Sequence, residues 1–196
     1  MRPRRPWLAP ADAVLQQGAW WGAVLWAARG SFAAATVPAG ALVALHLVLS
    51  PGERRWVGIL ALAAALYGLA TDGLLSEKGL AAFTGAQGIS PAWMVALWGA
   101  FGTGLTASLA GLVRWRPAVA ALVAAVAGPL SYRAGADLGA VSFPAGAAFA
   151  LGAVAVQWAV GVAILSQLAK RLETGEAAPA AAEGRAAGAG RWSCAP

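Results

Sequence analysis

The sequence predicts an all-α protein, a polytopic transmembrane helical bundle of about six helices with both termini in the cytoplasm. Hydrophobic residues make up 60% of the 196 residues and charged residues only 11%, whereas soluble globular domains carry about 25% charged residues. The hydrophobic residues form several long runs that are distributed along most of the chain. Basic residues lie at the ends of these runs, as is typical of membrane proteins.

The N-terminal third predicts a basic leader and two helices. Residues 1–12 are basic and are predicted to lie in the cytoplasm. Helix 1 is predicted from Val14 to Ala28 and would be about 22 Å long, which is short for a hydrocarbon core of about 30 Å. Helix 2 is predicted from Phe32 to Leu49, and the short connection at 29–31 makes the two helices antiparallel. A cleaved signal peptide is less favoured, because two glutamines interrupt the first apolar stretch.

Three further helices are predicted in the middle of the chain. Helix 3 extends from Trp56 to Leu75, directly after a basic turn. Helix 4 extends from Pro91 to Val113. It is predicted to start at Pro91 because proline, which has no N–H group, fits the first turn of a helix. Helix 5 begins at Pro117 and contains Gly128-Pro129, where the missing hydrogen bond should kink or interrupt the helix.

Helix 6 is predicted from near Pro144 to Leu168, followed by Lys170 and Arg171. The transmembrane domain therefore covers residues 13–170. Residues 171–196 are rich in Ala, Gly and Pro and lack apolar periodicity. They are predicted to form a disordered cytoplasmic tail.

The distribution of basic residues sets the predicted orientation. With the N-terminus inside, eleven of the 14 Lys and Arg residues face the cytoplasm, and the opposite side keeps Arg29, Lys78 and Arg133. We therefore expect a multi-pass protein of a bacterial cytoplasmic (inner) membrane. The net charge is +6. We expect the basic residues to contact anionic membrane lipids rather than nucleic acid, because they form no stripe with interleaved aromatic residues.

The sequence carries no signature of a soluble enzyme. It has no Walker loop, no His-Glu-x-x-His motif and no Gly-x-Ser-x-Gly motif. With one histidine and one cysteine, Cys194, neither a metal site nor a disulfide is expected, and no cofactor is expected. The sequence thus favours a protein that is not an enzyme, and its function should rest on polar groups within apolar helices, where burial is expensive.

Four residues form a candidate polar pocket near the outer ends of helices 3 and 5. Asp72 lies about one turn before the end of helix 3. Arg133 and Asp137 lie four residues apart on one face of helix 5, beside Tyr132. Because Asp72 and Arg133 lie at equal depth, we expect them to approach one another, as a structural pair or as a pocket for the headgroup of an amphiphile. The alternative is that these charges only reach interfacial water.

Three other polar residues lie within the predicted helices. His46 is predicted to be a neutral imidazole that is hydrogen-bonded between helices, because no acidic partner is expected at its depth. Gln16 and Gln17 in helix 1 are expected to make hydrogen bonds between helices rather than to bind a ligand.

Four groups of residues carry a family resemblance: Gln17-Gly-Ala-Trp20-Trp21; Asp72 with Gly79 and Phe83; Pro91-Ala-Trp93 through Leu97-Trp98 and Phe101; and Gly128-Pro129-Leu-Ser131-Tyr132 through Gly135 to Leu138-Gly139-Ala140. Together they resemble domain-of-unknown-function family 2878, small uncharacterised bacterial inner-membrane proteins. The resemblance covers residues 14–165, and the Pro-x-Trp and Gly-Pro-x-Ser-Tyr segments are its most specific parts. It implies a multi-spanning membrane domain, with a loose association to the modification of fatty-acyl phospholipids, and it identifies no catalytic residue.

The leading functional hypothesis is a non-enzymatic membrane component that binds a lipid-like molecule and assists another membrane protein, such as a lipid-modifying enzyme. The alternative is a small solute-binding or transport subunit, because six short helices in fewer than two hundred residues resemble the substrate-capturing subunits of vitamin importers. A membrane-embedded enzyme ranks last. For an acid/base pair the sequence offers only Asp72 with Tyr132 or Asp137.

Overall fold

A computed structural model describes residues 8–86 and 89–175. Within these residues the chain forms seven helices and one antiparallel pair of two-residue strands, which confirms the all-α prediction. The helices are α1 (Leu8–Ala28), α2 (Phe32–Leu49), α3 (Arg54–Glu77), α4 (Ala92–Gly104), α5 (Ala110–Arg114), α6 (Pro117–Asp137) and α7 (Ala147–Gly175). The strands are β1 (Ala82–Phe83) and β2 (Val141–Ser142).

Four of the described helices, α2, α3, α6 and α7, are long and apolar enough to cross a membrane, with mean hydropathies of 1.3 to 2.1. The chain is therefore a helical membrane protein. Helix α1 has 21 residues and α4 only 13, and neither is among these four. The expected total of six spans and the orientation of the termini stay predictions.

The bounds of α2 are those predicted, whereas α1 and α7 are longer than expected. Helix α1 extends at least to Leu8, six residues before the predicted start, and so takes Asp12 into the helix. Helix α7 begins at Ala147 and continues to Gly175. Its apolar face persists past the predicted end, since Ala169 and Leu172 pack in the same cluster as Leu165. The remaining tail, 176–196, and the basic segment 1–7 lie outside the described residues.

The prediction of one continuous helix from Pro91 to Val113 is wrong. The chain leaves the helix after Gly104, turns through 105–109 and resumes as the short α5. Two threonine hydroxyls in this region donate to backbone carbonyls three residues earlier, Thr103 to Ala100 at 2.8 Å and Thr106 to Thr103 at 2.8 Å. Such side-chain bonds give the backbone an alternative to the helix.

The predicted interruption at Gly128-Pro129 does not occur, because α6 is helical from Pro117 to Asp137. The glycine has a packing role instead. A Cβ atom at position 128 would overlap the indole of Trp158 on α7. The missing side chain therefore lets the aromatic ring lie directly against the backbone of α6.

Helix α4 lies at the centre of the bundle. It packs against α1, α2 and α3, while α7 packs against α3, α5 and α6. The starts of α1, α3 and α6 share one end of the bundle with the ends of α2 and α7. This end, called the basic end, holds six of the nine Lys and Arg residues that the structure describes: Arg54, Arg55, Arg114, Arg116, Lys170 and Arg171. The opposite end carries the β1–β2 pair and is called the strand end.

Candidate functional site

A cavity of about 580 Å³ lies between α1 and α6 and is referred to as the cleft. Helix α1 is held by α2 and α4, and α6 is held mainly by α7, so the two walls are anchored on different neighbours. The lining is mostly aromatic and aliphatic and contains no charged side chain among the described residues. It consists of Ala13, Gln16, Gln17, Trp20, Trp21, Val24, Trp93, Met94, Leu97, Trp98, Phe101, Ser108, Leu109, Ser131, Tyr132, Ala134, Gly135, Val141 and Trp158.

Three aromatic rings form the floor of the cleft. The ring centroids of Trp98 and Trp158 are 4.9 Å apart, and Phe101 lies 5.9 Å from Trp98 and 5.3 Å from Trp158. The indole of Trp98 rests against Gly68 on α3, where a Cβ atom would overlap the ring. Glycines at 68 and 128 thus fix the depth of two tryptophans that a ligand in the cleft would touch.

A buried carboxylate, that of Asp72 on α3, lies behind the floor of the cleft and is hydrogen-bonded to it. The residue is 0% exposed and does not line the cleft. Its Oδ2 accepts a hydrogen bond from Trp98 Nε1 at 2.9 Å. Its Oδ1 accepts from the Tyr132 hydroxyl at 2.5 Å and from Gln157 Nε2 at 2.6 Å. One carboxylate therefore joins α3 to α4, α6 and α7 and orients two residues of the cleft lining.

A second set of bonds ties Gln157 to α3. Its Nε2 also donates to the Thr71 hydroxyl at 2.7 Å, and the Tyr67 hydroxyl donates to the backbone carbonyl of Gln157 at 2.6 Å. Buried polar groups are costly unless they are paired. The network from Tyr67 to Tyr132 consequently favours one arrangement of α3, α6 and α7.

The four residues of the predicted polar pocket separate into two pairs. The structure brings Asp72 and Tyr132 together inside the bundle. Arg133 instead bonds through Nε to both carboxylate oxygens of Asp137, at 2.9 and 3.1 Å, with side chains that are 57% and 59% exposed. This exposed pair fits the alternative interpretation, in which these charges reach interfacial water.

His46 has an acidic partner, contrary to expectation. Its Nε2 lies 2.7 Å from Asp12 Oδ1, and Asp12 Oδ2 accepts a hydrogen bond from the backbone N–H of Ser108 at 2.9 Å. Asp12 is only 7% exposed. The expectation failed because helix 1 was predicted to begin after Asp12. Through its bond to Ser108, the aspartate supports the turn that separates α4 from α5.

The two glutamines of α1 have different surroundings. Gln16 Nε2 donates to the backbone carbonyl of Ala100 at 2.9 Å and so joins α1 to α4. Gln17 is exposed, lines the cleft and has no side-chain hydrogen bond to another described residue. Of the two, only Gln17 has its whole amide group free to bond a ligand.

Asp12 and Gln157 were not predicted from the sequence as functional positions. Gln157 is the only strongly polar side chain between Ala147 and Leu165 of α7, which is a signal for an intramembrane contact. Asp12 gave no such signal, since it precedes the first long apolar run. Within residues 8–86 and 89–175 no group of three or more His, Cys, Asp or Glu side chains is placed to hold a metal ion.

Comparison with known proteins gives one match. The sequence profile of the family described as "Protein of unknown function (DUF2878)" matches residues 9–164, which is most of the chain and covers all of the cleft lining. No curated protein and no solved structure matches the chain.

Proposed function

Because the chain belongs to the DUF2878 family, whose description names no activity, we propose a function from the site itself: the protein binds a lipid-like molecule in the cleft between α1 and α6. The observation that carries the proposal is the cleft, with its volume of about 580 Å³ and its uncharged, largely aromatic lining. Ligand pockets typically enclose about 300–1,000 Å³ and are lined mainly by apolar side chains.

The composition of the lining favours a lipid over a water-soluble solute. A polar solute would need several converging hydrogen-bonding groups to replace its water. Three of the five Gln, Ser and Tyr side chains in the lining are already bonded within the protein: Gln16 to Ala100, Tyr132 to Asp72 and Ser108 to Asp12. An acyl or isoprenoid chain requires no such groups and matches the aromatic surface.

The network around Asp72 argues against this residue as a catalytic acid or base. A general acid or base must lie within hydrogen-bond reach of the substrate. Asp72 is fully buried behind Trp98 and Tyr132 and accepts three hydrogen bonds. The proposed role is therefore to hold a lipid in the bacterial inner membrane, with the basic end in the cytoplasm, and to present it to a lipid-modifying partner.

Photolabelling of the purified full chain tests this proposal. The probes are two photoreactive hexadecyl chains, one with a hydroxyl and one with a sulfate head, so that the test does not depend on the headgroup. Ala134→Trp fills the cleft from α6, whereas Val126→Trp places the same side chain on a 57% exposed position of that helix. We expect at least one probe to label peptides of α1, α4 or α6, and this labelling to be lost only in Ala134→Trp. Equal labelling of both variants would refute lipid binding in the cleft.

A further inference from the structure

Apart from the indole N–H groups of the tryptophans, the cleft lining presents two polar side chains with no hydrogen bond to another described residue. Gln17 lies on the α1 wall and Ser131 on the α6 wall. Neither side chain has a hydrogen-bond partner among the described residues, whereas Ser108 is held to Asp12 by its backbone N–H and by its side chain. Both side chains are uncharged, and each has a donor and an acceptor.

Along the helix axes, both side chains lie between the two ends of the bundle rather than at either end. Gln17 follows the start of α1 by nine residues and Ser131 follows the start of α6 by 14. At helical rise they lie about 14 Å and 21 Å from the basic end, within a hydrocarbon core of about 30 Å. A charged group at this depth would be costly, while a single hydroxyl or carbonyl would be tolerated if it were hydrogen-bonded.

The charges nearest to the cleft disfavour charged ligands of either sign. The carboxylates of Asp72 and Asp12 lie directly behind lining residues and would repel an anion in the cleft. No basic side chain among the lining residues would compensate for this repulsion. These carboxylates also offer little to a cation. Their oxygens already accept hydrogen bonds from protein donors, and a cation in the cleft would lose its water without gaining a direct counter-ion.

We propose, building on the proposed lipid binding, that the cleft selects an uncharged lipid whose hydroxyl or carbonyl group bonds to Gln17 or to Ser131. Because both side chains donate and accept, the site fits an alcohol as well as an ester or ketone oxygen. The aromatic floor of Trp98, Phe101 and Trp158 takes the hydrocarbon part of the same molecule.

A competition experiment with three headgroups on one chain tests this selectivity. Tritiated hexadecanol is bound to the full-length protein in mild detergent, and unlabelled hexadecanol, hexadecyl sulfate and hexadecyltrimethylammonium are compared as competitors. The two charged probes keep their charge at every pH used. We expect hexadecanol to compete at least about tenfold better than either charged probe, since a buried unpaired charge costs well over one factor of ten in affinity.

Variants assign the selectivity to the two side chains. The double variant Gln17→Leu/Ser131→Ala should bind hexadecanol about tenfold more weakly. Gln167→Leu, on α7 and outside the cleft, should bind like the wild type at an equal melting temperature. Equal competition by all three probes, or unchanged binding by the double variant, would overturn the selectivity. If Ala134→Trp still abolished binding in that case, the proposed function would stand. Binding that survives Ala134→Trp would overturn both the selectivity and the proposed function. No specific binding of hexadecanol would overturn the selectivity, and it would overturn the proposed function as well if neither photoreactive probe labelled the cleft.

Discussion

Replacement of Asp72 by asparagine is the most informative test of the network behind the cleft. Asparagine keeps the shape of the side chain but offers one accepting oxygen and one donating NH2 group. If its oxygen faces Tyr132 and Gln157, its NH2 group faces the indole N–H of Trp98, and two donors oppose each other. A buried polar group left without its partner costs about 1–3 kcal/mol. Asp72→Asn should therefore lower the free energy of unfolding by about this amount.

A double-mutant cycle attributes the loss to this contact. Trp98→Phe removes the opposing N–H, so the combination with Asp72→Asn should lose less than the sum of the single losses, by about 0.5–3 kcal/mol. Asp137→Asn is the control, because its exposed pair with Arg133 should contribute about 0–1 kcal/mol. Unfolding is followed by circular dichroism in detergent during titration with sodium dodecyl sulfate. Strictly additive losses, or an equal loss in Asp137→Asn, would refute the reasoning.

Two further predictions concern packing and topology. Gly128→Ala should destabilise the protein by about 1–3 kcal/mol and weaken lipid binding, because the new methyl group overlaps Trp158; Gly152→Ala, with no atom within 4 Å of its Cβ position, is the matched control in thermal unfolding, and equal losses in both would contradict the packing role. Reporter fusions should give a periplasmic signal at Gly85 and a cytoplasmic signal after Lys170; a cytoplasmic signal at Gly85 would contradict the six-span topology.

Much of the fold could be predicted from composition and local pattern. Both ends of α2 were predicted correctly because a continuous apolar run lies between clear breaks at Ser31 and Ser50. The break in α4 could not be predicted. Besides the local bonds of Thr103 and Thr106, it is supported by Asp12, which lies 96 residues away in sequence from its partner Ser108. Tertiary contacts of this kind leave no trace in the hydropathy of the segment itself.

The candidate site was only half predictable for a related reason. Asp72 and Arg133, with its neighbour Tyr132, were singled out as polar groups at one depth, and depth follows from counting residues along each helix. Which side of a helix faces the interior does not follow from counting. Tyr132 and Arg133 are neighbours in sequence but point about 100° apart around α6, and the helix is apolar on nearly all sides. The inward direction of Tyr132 and the outward direction of Arg133 thus became clear only from packing.

Binding of an uncharged lipid in the cleft is tested most directly by identifying the lipids that co-purify with the protein. The wild type, Ala134→Trp and Val126→Trp would be purified from native membranes at matched detergent, and the bound lipids quantified by liquid chromatography and mass spectrometry. We expect an uncharged lipid with a hydroxyl or carbonyl group to be enriched to about one molecule per chain in the wild type and in Val126→Trp, and to be lost in Ala134→Trp. The same lipid profile in all three proteins would contradict this expectation.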